Sequence, residues 1–277
     1  MATQTKVLDV HAIAEEVIAA LSSHAQIPTF SSRPHGLTLA QAYQVTPLLR
    51  AAFEARGETI TGRKIGFTNR EMWKAYGVGS PIWGYATSRT TRALDDTQIM
   101  SLSEFFGPRI EPEIMFGLAT APTRAMNDSE LVECIEWIAL GYEIVQSIFP
   151  HWKFTAADAV AANCVHGALL IGERHAVAPR KRDWLSELAT FEVELYRGDE
   201  MAQRGSGALV LGSPLMALRH LIELLADDPQ NPPLRAGETI STGTLTLAMP
   251  IKPGERWATR LRGIALDDIA IKFGAHP

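Results

Sequence analysis

Three glutamates in two apolar segments are the residues of this sequence best suited to chemistry. Glu111 and Glu113 lie two apart in a segment typical of a β-strand, and Glu143 lies in a second such segment. Alternate residues of a strand point to the same face, so Glu111 and Glu113 should lie side by side. Because like charges repel and burial penalises ionised groups, a divalent cation is one good reason for this arrangement. Three carboxylates predict a hard oxygen site for Mg²⁺ or Mn²⁺.

A second pair of glutamates at the same spacing provides an internal comparison. Glu192 and Glu194 precede a hairpin turn, and no similar acid or lysine pattern accompanies them. We interpret them as a solvated strand face. Glu111 and Glu113 have a third acid and, upstream, a strand that carries Lys64, so the metal hypothesis is preferred for them. Lys64 could be an edge-strand lysine that only prevents unwanted strand pairing. The glycines at positions 62 and 66 instead indicate that the backbone around Lys64 approaches another group closely.

Charge and composition limit the partners. The net charge is −5 and the basic residues are scattered, which disfavours nucleic acid or an anionic membrane as the main partner. Cys134 and Cys164 are the only cysteines, without a CxxC pattern, so we expect two packed, reduced thiols in a cytoplasmic protein. We also expect no membrane-spanning segment and no secretory signal.

The elements that must position these residues form a helical N-terminal part and a remainder rich in strands. Residues 9–57 have helical periodicity, with Asp9 as an N-cap and Thr38 with Gln41 as a capping box. Pro47 should kink the second helix or start it afresh. A strand carrying Lys64 is predicted at 59–67, then a short helix at 69–76 and a loop to residue 84. Further strands are predicted at 109–118, 141–147, 168–171, 190–196, 239–246 and 264–273, and helices at 129–139 and 214–226.

This alternation predicts an α+β, β-rich catalytic domain and not a doubly wound sheet. Five segments then carry a resemblance, in the order 62–68, 80–84, 108–113, 141–143 and 241–244. Together they are similar to the 2-keto-4-pentenoate hydratase and 4-oxalocrotonate decarboxylase group of the fumarylacetoacetate hydrolase superfamily. The resemblance spans nearly the whole chain. The two glutamates of 108–113 alone are unspecific, whereas their combination with the lysine strand and with 141–143 is specific.

The resemblance implies a fold and a set of site residues. A small helical N-terminal cap region at 1–95 should lie beside a mixed β-roll at 96–277 that holds the metal. The implied metal ligands are Glu111, Glu113 and Glu143, and the implied catalytic residue is Lys64. We prefer proton exchange by Lys64, with a pKa lowered beside a cation, over binding of the substrate carboxylate. The expected substrate-binding residues are Ile82, Trp83, Lys153, Thr242, Gly243 and Thr244.

The resemblance also implies a short 2-oxo or 2-hydroxydienoate acid as substrate and a homo-oligomer. Hydratases of the group carry an aspartate where this chain has Ile82, and the decarboxylases carry an aliphatic residue there. Lys153 with Phe154 also resembles the decarboxylases, whereas Asp158 resembles the hydratases. Both reactions therefore remain open, with hydration first because that type is commonest. A C–C bond hydrolase, which needs a His–Glu pair, ranks third, and a non-catalytic metal-stabilised subunit is disfavoured because ligands and lysine are present.

Overall fold

Two β-sheets form the frame of the protein, and its computed structural model describes them across residues 9–275. The α-helices of this region are α1 (Val10–Ser23), α2 (Leu39–Ala55), α3 (Trp73–Tyr76), α4 (Asp128–Glu133), α5 (Ala156–Ala161), α6 (Lys181–Thr190) and α7 (Pro214–Ala226). The strands are β1 (Ile60–Gly66), β2 (Ile82–Thr87), β3 (Thr91–Ala93), β4 (Ile99–Ser101), β5 (Arg109–Leu118), β6 (Ile135–Val145), β7 (His166–Ile171), β8 (His175–Ala176), β9 (Glu192–Arg197), β10 (Glu200–Ser206), β11 (Thr239–Thr244), β12 (Met249–Pro250), β13 (Arg256–Arg262) and β14 (Ile269–Gly274).

The larger sheet is mixed and curls into a half-barrel. Its strands run in the order β2-β1-β11-β5-β6-β7-β3, with β12 beside β5 and β8 beside β6. The β1–β11 and β3–β7 pairs are parallel, and its other pairs are antiparallel. The smaller sheet has the order β10-β9-β13-β14-β4. The predicted α+β class with a small helical N-terminal region is confirmed.

Strand register in the larger sheet brings distant residues together. Glu111 of β5 pairs with Glu143 of β6, and Glu113 pairs with Thr244 of β11. Lys64 of β1 pairs with Ser241, also on β11. The four strands β1, β11, β5 and β6 are consecutive neighbours, so acids and lysine from three parts of the chain share one region of the sheet.

The N-terminal helices begin where the sequence predicts. The Asp9 carboxylate accepts hydrogen bonds from two backbone amides of α1, and Thr38 forms its capping box with Gln41. The alternative that Pro47 starts the second helix afresh is wrong, because α2 runs continuously through it, and a kink there stays a prediction. Proline removes the backbone donor to the carbonyl four residues earlier. The Thr46 hydroxyl donates to that carbonyl, on Tyr43, at 2.8 Å, so the acceptor keeps a partner.

Several boundaries differ from the sequence prediction; for example, the strand predicted at 264–273 begins at Ile269. The helix predicted at 129–139 ends at Glu133, and β6 begins at Ile135, because the apolar residues that follow are buried between β5 and β7. The loop predicted up to residue 84 becomes strand at Ile82. By contrast, α7 has the predicted bounds, with Ser213 as its N-cap. Both cysteines are free and buried, as expected.

The helical stretch Gly207–Ala226 has a mean hydropathy of 1.5 and is long and apolar enough to cross a membrane by length and composition. The expectation of no membrane-spanning segment assumed that no stretch is this long and apolar, and this stretch does meet that criterion. Half of the stretch is buried inside the protein, with Leu218 and Leu221 fully buried. Core helices pass the same test, so the stretch is weak evidence for a membrane span.

The division at residue 95 remains a prediction. Strands β1, β2 and β3 precede that boundary, yet they belong to the same sheet as β5, β6, β7 and β11. The α1 and α2 helices pack against each other, and α2 also packs on α5. Positions 1–8 and 276–277 of the two predicted regions lie outside the described residues.

Candidate active site

The three glutamates converge as the sequence predicts. One carboxylate oxygen from each of Glu111, Glu113 and Glu143 lies within 4.8 Å of the other two. Glu113 and Glu143 are fully buried, and Glu111 is partly buried. Oxygen ligands lie about 2.0–2.6 Å from Mg²⁺ or Ca²⁺, so two ligands of one ion are separated by at most about 5 Å. The cluster therefore has the size and donor type of a single divalent-cation site.

One buried oxygen supports this fit. Glu113 Oε2 accepts hydrogen bonds from Ser241 Oγ at 2.5 Å and from the Gly243 amide at 2.9 Å. Glu113 Oε1 is buried and has no hydrogen-bond partner among the described residues. Buried polar atoms are nearly always paired, because leaving one unpaired costs about 1–3 kcal/mol. A cation would satisfy this oxygen, whereas the protein atoms alone do not.

Burial and mutual repulsion raise the affinity of the cluster for protons. Burial raises the pKa of Glu111 to about 7, with Glu143 adding to the rise and Lys64 opposing it. The pKa of Glu113 is also raised well above its ordinary value, first by burial and then by the negative charges of Glu143 and Glu111. A bound cation reverses this balance, because it stabilises the ionised carboxylates. Metal and protons therefore compete for the same oxygens.

Lys64 is buried beside this cluster. Its Nζ lies 3.1 Å from Glu143 Oε2 and donates a hydrogen bond of 3.1 Å to the Cys164 carbonyl. Burial lowers the pKa of Lys64, but the nearby Cys164 thiol and the glutamates, Glu143 foremost, outweigh it, so the pKa is raised. The sequence argument expected a lowered pKa beside a cation. The protein atoms alone give the opposite sign, because their carboxylates dominate the field at Nζ.

The predicted glycine pattern around Lys64 reflects close packing. A Cβ on Gly62 would collide with the Thr239 backbone of β11, and a Cβ on Gly66 would lie 3.0 Å from Cys164 Sγ. Residues 163–165 all have positive φ, between 52° and 56°. The Asn163 side chain accepts from the Tyr85 amide and donates to its carbonyl, which ties this unusual turn to β2. The turn thereby presents the Cys164 carbonyl to Lys64.

The imidazole of His166 contacts the carboxylate of Glu143. Its Nδ1 lies 2.8 Å from Glu143 Oε1, and its Nε2 lies 2.9 Å from Thr90 Oγ1. Both ring nitrogens therefore have partners within the protein. The additional finding is that His166 orients a candidate metal ligand, a role typical of residues just outside a metal site. Only the pairing of β6 with β7 reveals it, since nothing in the local sequence links the two residues.

The three residues of the segment 242–244 have different structural roles. Gly243 has φ +101°, and a Cβ there would collide with the Thr68 side chain, so this position requires glycine. Thr242 is fully buried and its hydroxyl donates to the Ile114 carbonyl at 2.8 Å. Thr244 lines a cavity next to the acidic cluster. Of the three residues, Thr244 alone is among the described lining residues, while Thr242 and Gly243 fasten the turn and Glu113.

The cavity has a volume of about 260 Å³. Lys64, Glu111 and Ile82 line it, and these are residues that the sequence analysis assigned to catalysis, the metal and the substrate, respectively. The sequence did not single out Thr68 and Asn69 as lining residues, although the motif 62–68 ends there. The remaining lining residues are Ile65, Gly66, Phe67, Arg109, Val145, Trp152, Phe154, Ala159, Cys164, Val165, Thr244, Thr246, Leu247 and Ala248.

Two predicted binding residues lie elsewhere. Trp83 is absent from the cavity lining, because the segment is a strand and Trp83 points to the face opposite Ile82. It is buried there between the rings of Tyr43 and Tyr85, at centroid distances of 5.9 and 5.2 Å. Lys153 is exposed and does not line the cavity, whereas its neighbours on both sides do. Neither residue is among the described lining residues of this cavity, so the assignment of Trp83 and Lys153 to substrate binding remains a prediction.

The fold and the site together define a class: a curled, mixed sheet that carries an acidic cluster and a buried lysine beside a cavity. The family profile described as Fumarylacetoacetate (FAA) hydrolase C-terminal matches residues 78–266. The chain belongs to this family.

Individual relatives cover most of the chain. A 2-keto-4-pentenoate hydratase from Dechloromonas aromatica (strain RCB) is 30% identical over 80% of this chain and 82% of its own length. A 4-oxalocrotonate decarboxylase from Pseudomonas sp. (strain CF600) is 28% identical over 91% of this chain and 93% of its own. Among solved structures, 4-oxalocrotonate decarboxylase from Pseudomonas putida G7, complexed with magnesium and adipate, superimposes with a TM-score of 0.85 and 27% identity, covering 95% of this chain and 97% of its own.

Proposed function

We propose that this chain is a divalent-metal-dependent lyase that hydrates a 2-hydroxy-2,4-dienoate of the 2-keto-4-pentenoate type to a 4-hydroxy-2-oxo acid. The observation that carries the proposal is the cluster of Glu111, Glu113 and Glu143 beside Lys64 and the cavity. The names of the relatives and the magnesium in a similar structure support it. We further propose a cytoplasmic homo-oligomer that takes part in aromatic catabolism.

The protein groups have distinct tasks in this reaction. Glu111, Glu113 and Glu143 would hold Mg²⁺ or Mn²⁺, with His166 fixing the orientation of Glu143. When bound, the ion would fix a 2-oxo acid through its carboxylate and 2-oxygen and stabilise negative charge on that oxygen. Lys64 Nζ, beside Glu143, would carry the proton that moves when the dienol becomes a ketone. The apolar cavity wall excludes bulk water from this centre.

Hydration needs a polar group that holds a water molecule away from the metal centre. Thr68 lines the cavity, and its Oγ1 is buried without a hydrogen-bond partner among the described residues. Buried hydroxyls are nearly always hydrogen-bonded, so we expect a ligand or a water molecule to bond Thr68 Oγ1. Thr68→Val should therefore lower the rate of hydration, and Thr68→Ser, which keeps the hydroxyl, should restore it. Equal rates for both variants and the wild type would remove Thr68 from the mechanism.

Decarboxylation is the second candidate, and two observations favour it. Ile82 lines the cavity where hydratases of the group carry an aspartate, and isoleucine cannot orient water. Asp158, which resembles the hydratases, is fully buried and accepts hydrogen bonds from Ser31 and Thr155, so it does not face the cavity. Ile82→Asp tests this branch. The variant should gain hydration and lose CO₂ release if Ile82 selects the reaction, and no change would contradict that role.

The hydrolase alternative has less support in this structure. His166 and Glu143 form a His–Glu pair, but both ring nitrogens of His166 are engaged, and Glu143 belongs to the acidic cluster. The described residues that line the cavity include no histidine. A water molecule therefore has no free imidazole to activate it there.

Product analysis decides among these functions. Purified protein with Mg²⁺ is mixed with a 2-hydroxydienoate, its ultraviolet absorbance is followed, and the products are separated by chromatography. A 4-hydroxy-2-oxo acid indicates hydration, CO₂ release from a 2-oxo-enedioate indicates decarboxylation, and two acids indicate C–C hydrolysis. Absence of turnover with all of these substrates would contradict the proposal and favour a binding role.

A further inference from the structure

Lys64 has a buried cationic neighbour on the opposite face of β1. Arg63 and Lys64 are consecutive in this strand, so their side chains lie on opposite faces of the sheet. Both residues are buried, and Lys64 lines the cavity, whereas Arg63 is not among the described lining residues. A buried arginine requires compensating partners, because removing a charge from water is unfavourable. The proposed reaction assigns no task to Arg63.

A carboxylate and two aromatic rings surround the Arg63 guanidinium. Its Nη1 lies 3.1 Å from Glu238 Oε2, and the exposed fractions of these two side chains are 1% and 13%. Its guanidinium carbon lies 4.1 Å from the ring centroid of Tyr85, the residue that pairs with Arg63 on β2, and 5.5 Å from that of Trp83. The guanidinium is therefore held between β2 and the residue that directly precedes β11.

The ion pair of Arg63 with Glu238 is poorly suited to stabilising the fold. Burial lowers the pKa of Arg63 and raises the pKa of Glu238, so the loss of water outweighs the attraction between the two charges. Arg63 Nε also has no hydrogen-bond partner among the described residues. Apolar residues can often replace a buried ion pair without loss of stability, and the best-attested role of such pairs is to specify geometry.

The geometry that this pair can specify is the position of β1 on β11. These parallel strands pair over three residues, with Lys64 opposite Ser241, whose hydroxyl donates to the Glu113 carboxylate. On its other side β11 pairs with β5, and the Leu118 amide of β5 donates to the Glu238 carbonyl at 3.0 Å. An ion pair to Glu238 therefore ties β1 to the strands that carry the acidic cluster.

We infer that Arg63 is a positioning residue, which anchors β1 on β11 through Glu238 and thereby holds Lys64 Nζ at the acidic cluster. The inference rests on the proposed function, in which Lys64 carries the proton. Lys64 Nζ lies 3.1 Å from Glu143 Oε2, and misplacement of a reacting group by about 1 Å can lower a rate about 100-fold. The metal ligands lie on β5 and β6, so loss of the anchor leaves them in place.

Replacing both partners by apolar residues separates positioning from stability. Arg63→Met combined with Glu238→Leu leaves no unpaired charge, so the unfolding temperature should stay the same or rise. The affinity for Mg²⁺ in calorimetry and the KM should stay the same, because the acidic cluster and the cavity remain. The kcat in the ultraviolet assay should fall about 10- to 100-fold. Arg63→Lys alone keeps the charge beside Glu238 and should retain part of the rate.

Hydrogen exchange measured by mass spectrometry reports the anchor without turnover. Backbone amides of Ile60–Gly66 should exchange faster in the double variant than in the wild type.

An exposed ion pair provides the matched control. Arg124 Nη2 lies 2.7 Å from Asp227 Oδ1, and both side chains are exposed. Arg124→Met combined with Asp227→Leu should leave the kcat, the Mg²⁺ affinity and the exchange in β1 unchanged.

The outcomes separate this inference from the proposed function. A double variant with the kcat of the wild type would show that the pair does not position Lys64. A kcat that falls together with the unfolding temperature and the Mg²⁺ affinity would show a merely structural role and overturn the inference as well. If the wild type turns over none of the dienoate substrates, the proposed function fails. Exchange in β1 then decides about the anchor, and equal exchange in wild type and double variant overturns it.

Discussion

Replacing Glu113 with glutamine should remove the stabilisation that a divalent ion gives to the folded protein. Glu113 is fully buried and belongs to the cluster of three carboxylates, and its Oε1 has no hydrogen-bond partner among the described residues. A ligand present at 100 times its dissociation constant stabilises a protein by about 2.7 kcal/mol. For a chain of this size, about 1 kcal/mol corresponds to a few degrees, so Mg²⁺ or Mn²⁺ should raise the unfolding temperature of the wild type by about 5–10 °C. Glu113→Gln should show little of this rise.

The same variant should not weaken the metal-free protein. The pKa of Glu113 is raised well above its ordinary value, so the glutamine amide resembles the protonated acid in shape and charge. Its oxygen can still accept from Ser241 and Gly243, which bond Glu113 Oε2 in the wild type. The metal-free variant should therefore unfold at the same temperature as the metal-free wild type or at a higher one.

The direction in which pH changes the stability of the protein follows from the pKa of Glu111. Burial raises the pKa of Glu111 to about 7 from its ordinary 4.5, so the metal-free folded state binds more protons than the unfolded state between these values. The contribution of Glu111 to stability is therefore present at low pH and is lost as the pH rises from about 4.5 to about 7. A bound ion displaces the proton, so the metal-dependent rise in unfolding temperature should grow across this window.

Differential scanning fluorimetry with and without metal measures these effects. Glu192→Gln is the matched control, because Glu192 is an exposed strand glutamate with the same local spacing. It should keep the full metal-dependent rise. A Glu113→Gln protein that gains as many degrees from Mg²⁺ as the wild type would refute the assignment of the metal to this cluster.

Two further substitutions test the neighbours of the cluster. Lys64→Ala should lower kcat by at least about 100-fold, as expected for loss of a proton-transferring group, and a rate near that of the wild type in the ultraviolet assay would exclude Lys64 from catalysis. His166→Asn removes the imidazole contact at Glu143 Oε1 and should weaken metal binding about 10- to 100-fold in calorimetry, whereas unchanged affinity would show that Glu143 needs no orientation.

Local sequence patterns predicted those parts of the site that depend on one element at a time. The alternation of a strand sufficed to place Glu111 beside Glu113, and short-range capping rules sufficed to begin α1 and α2. Glu143 joined the site in the sequence analysis through its apolar context and the family resemblance. Its actual position follows from the β5–β6 register, which no local pattern encodes.

Two differences between the sequence prediction and the structure have a related physical cause. Treating 80–84 as a loop left the direction of each side chain open, and Trp83 was then chosen for the pocket. Because the strand begins at Ile82, alternation turns Trp83 to the opposite face. The helix predicted at 129–139 failed for a related reason: a short apolar run fits both periodicities, and burial between two neighbouring strands decides it.

The contributions of His166, Thr68 and Arg109 depend on contacts between elements distant in sequence. His166 meets Glu143 through the pairing of β7 with β6, and Thr68 faces the cavity beside a turn that includes Gly243. Arg109 stacks on Trp152 and lines the cavity, which the local sequence does not indicate.

Removal and return of the metal test the central claim most directly. Protein treated with EDTA and then desalted is assayed for loss of a 2-hydroxydienoate while Mg²⁺ or Mn²⁺ is titrated back. Activity should disappear after EDTA treatment and return in full with one ion bound per chain, because three carboxylates converge on one position. Full activity in saturating EDTA, or a requirement for two ions per chain, would contradict the account.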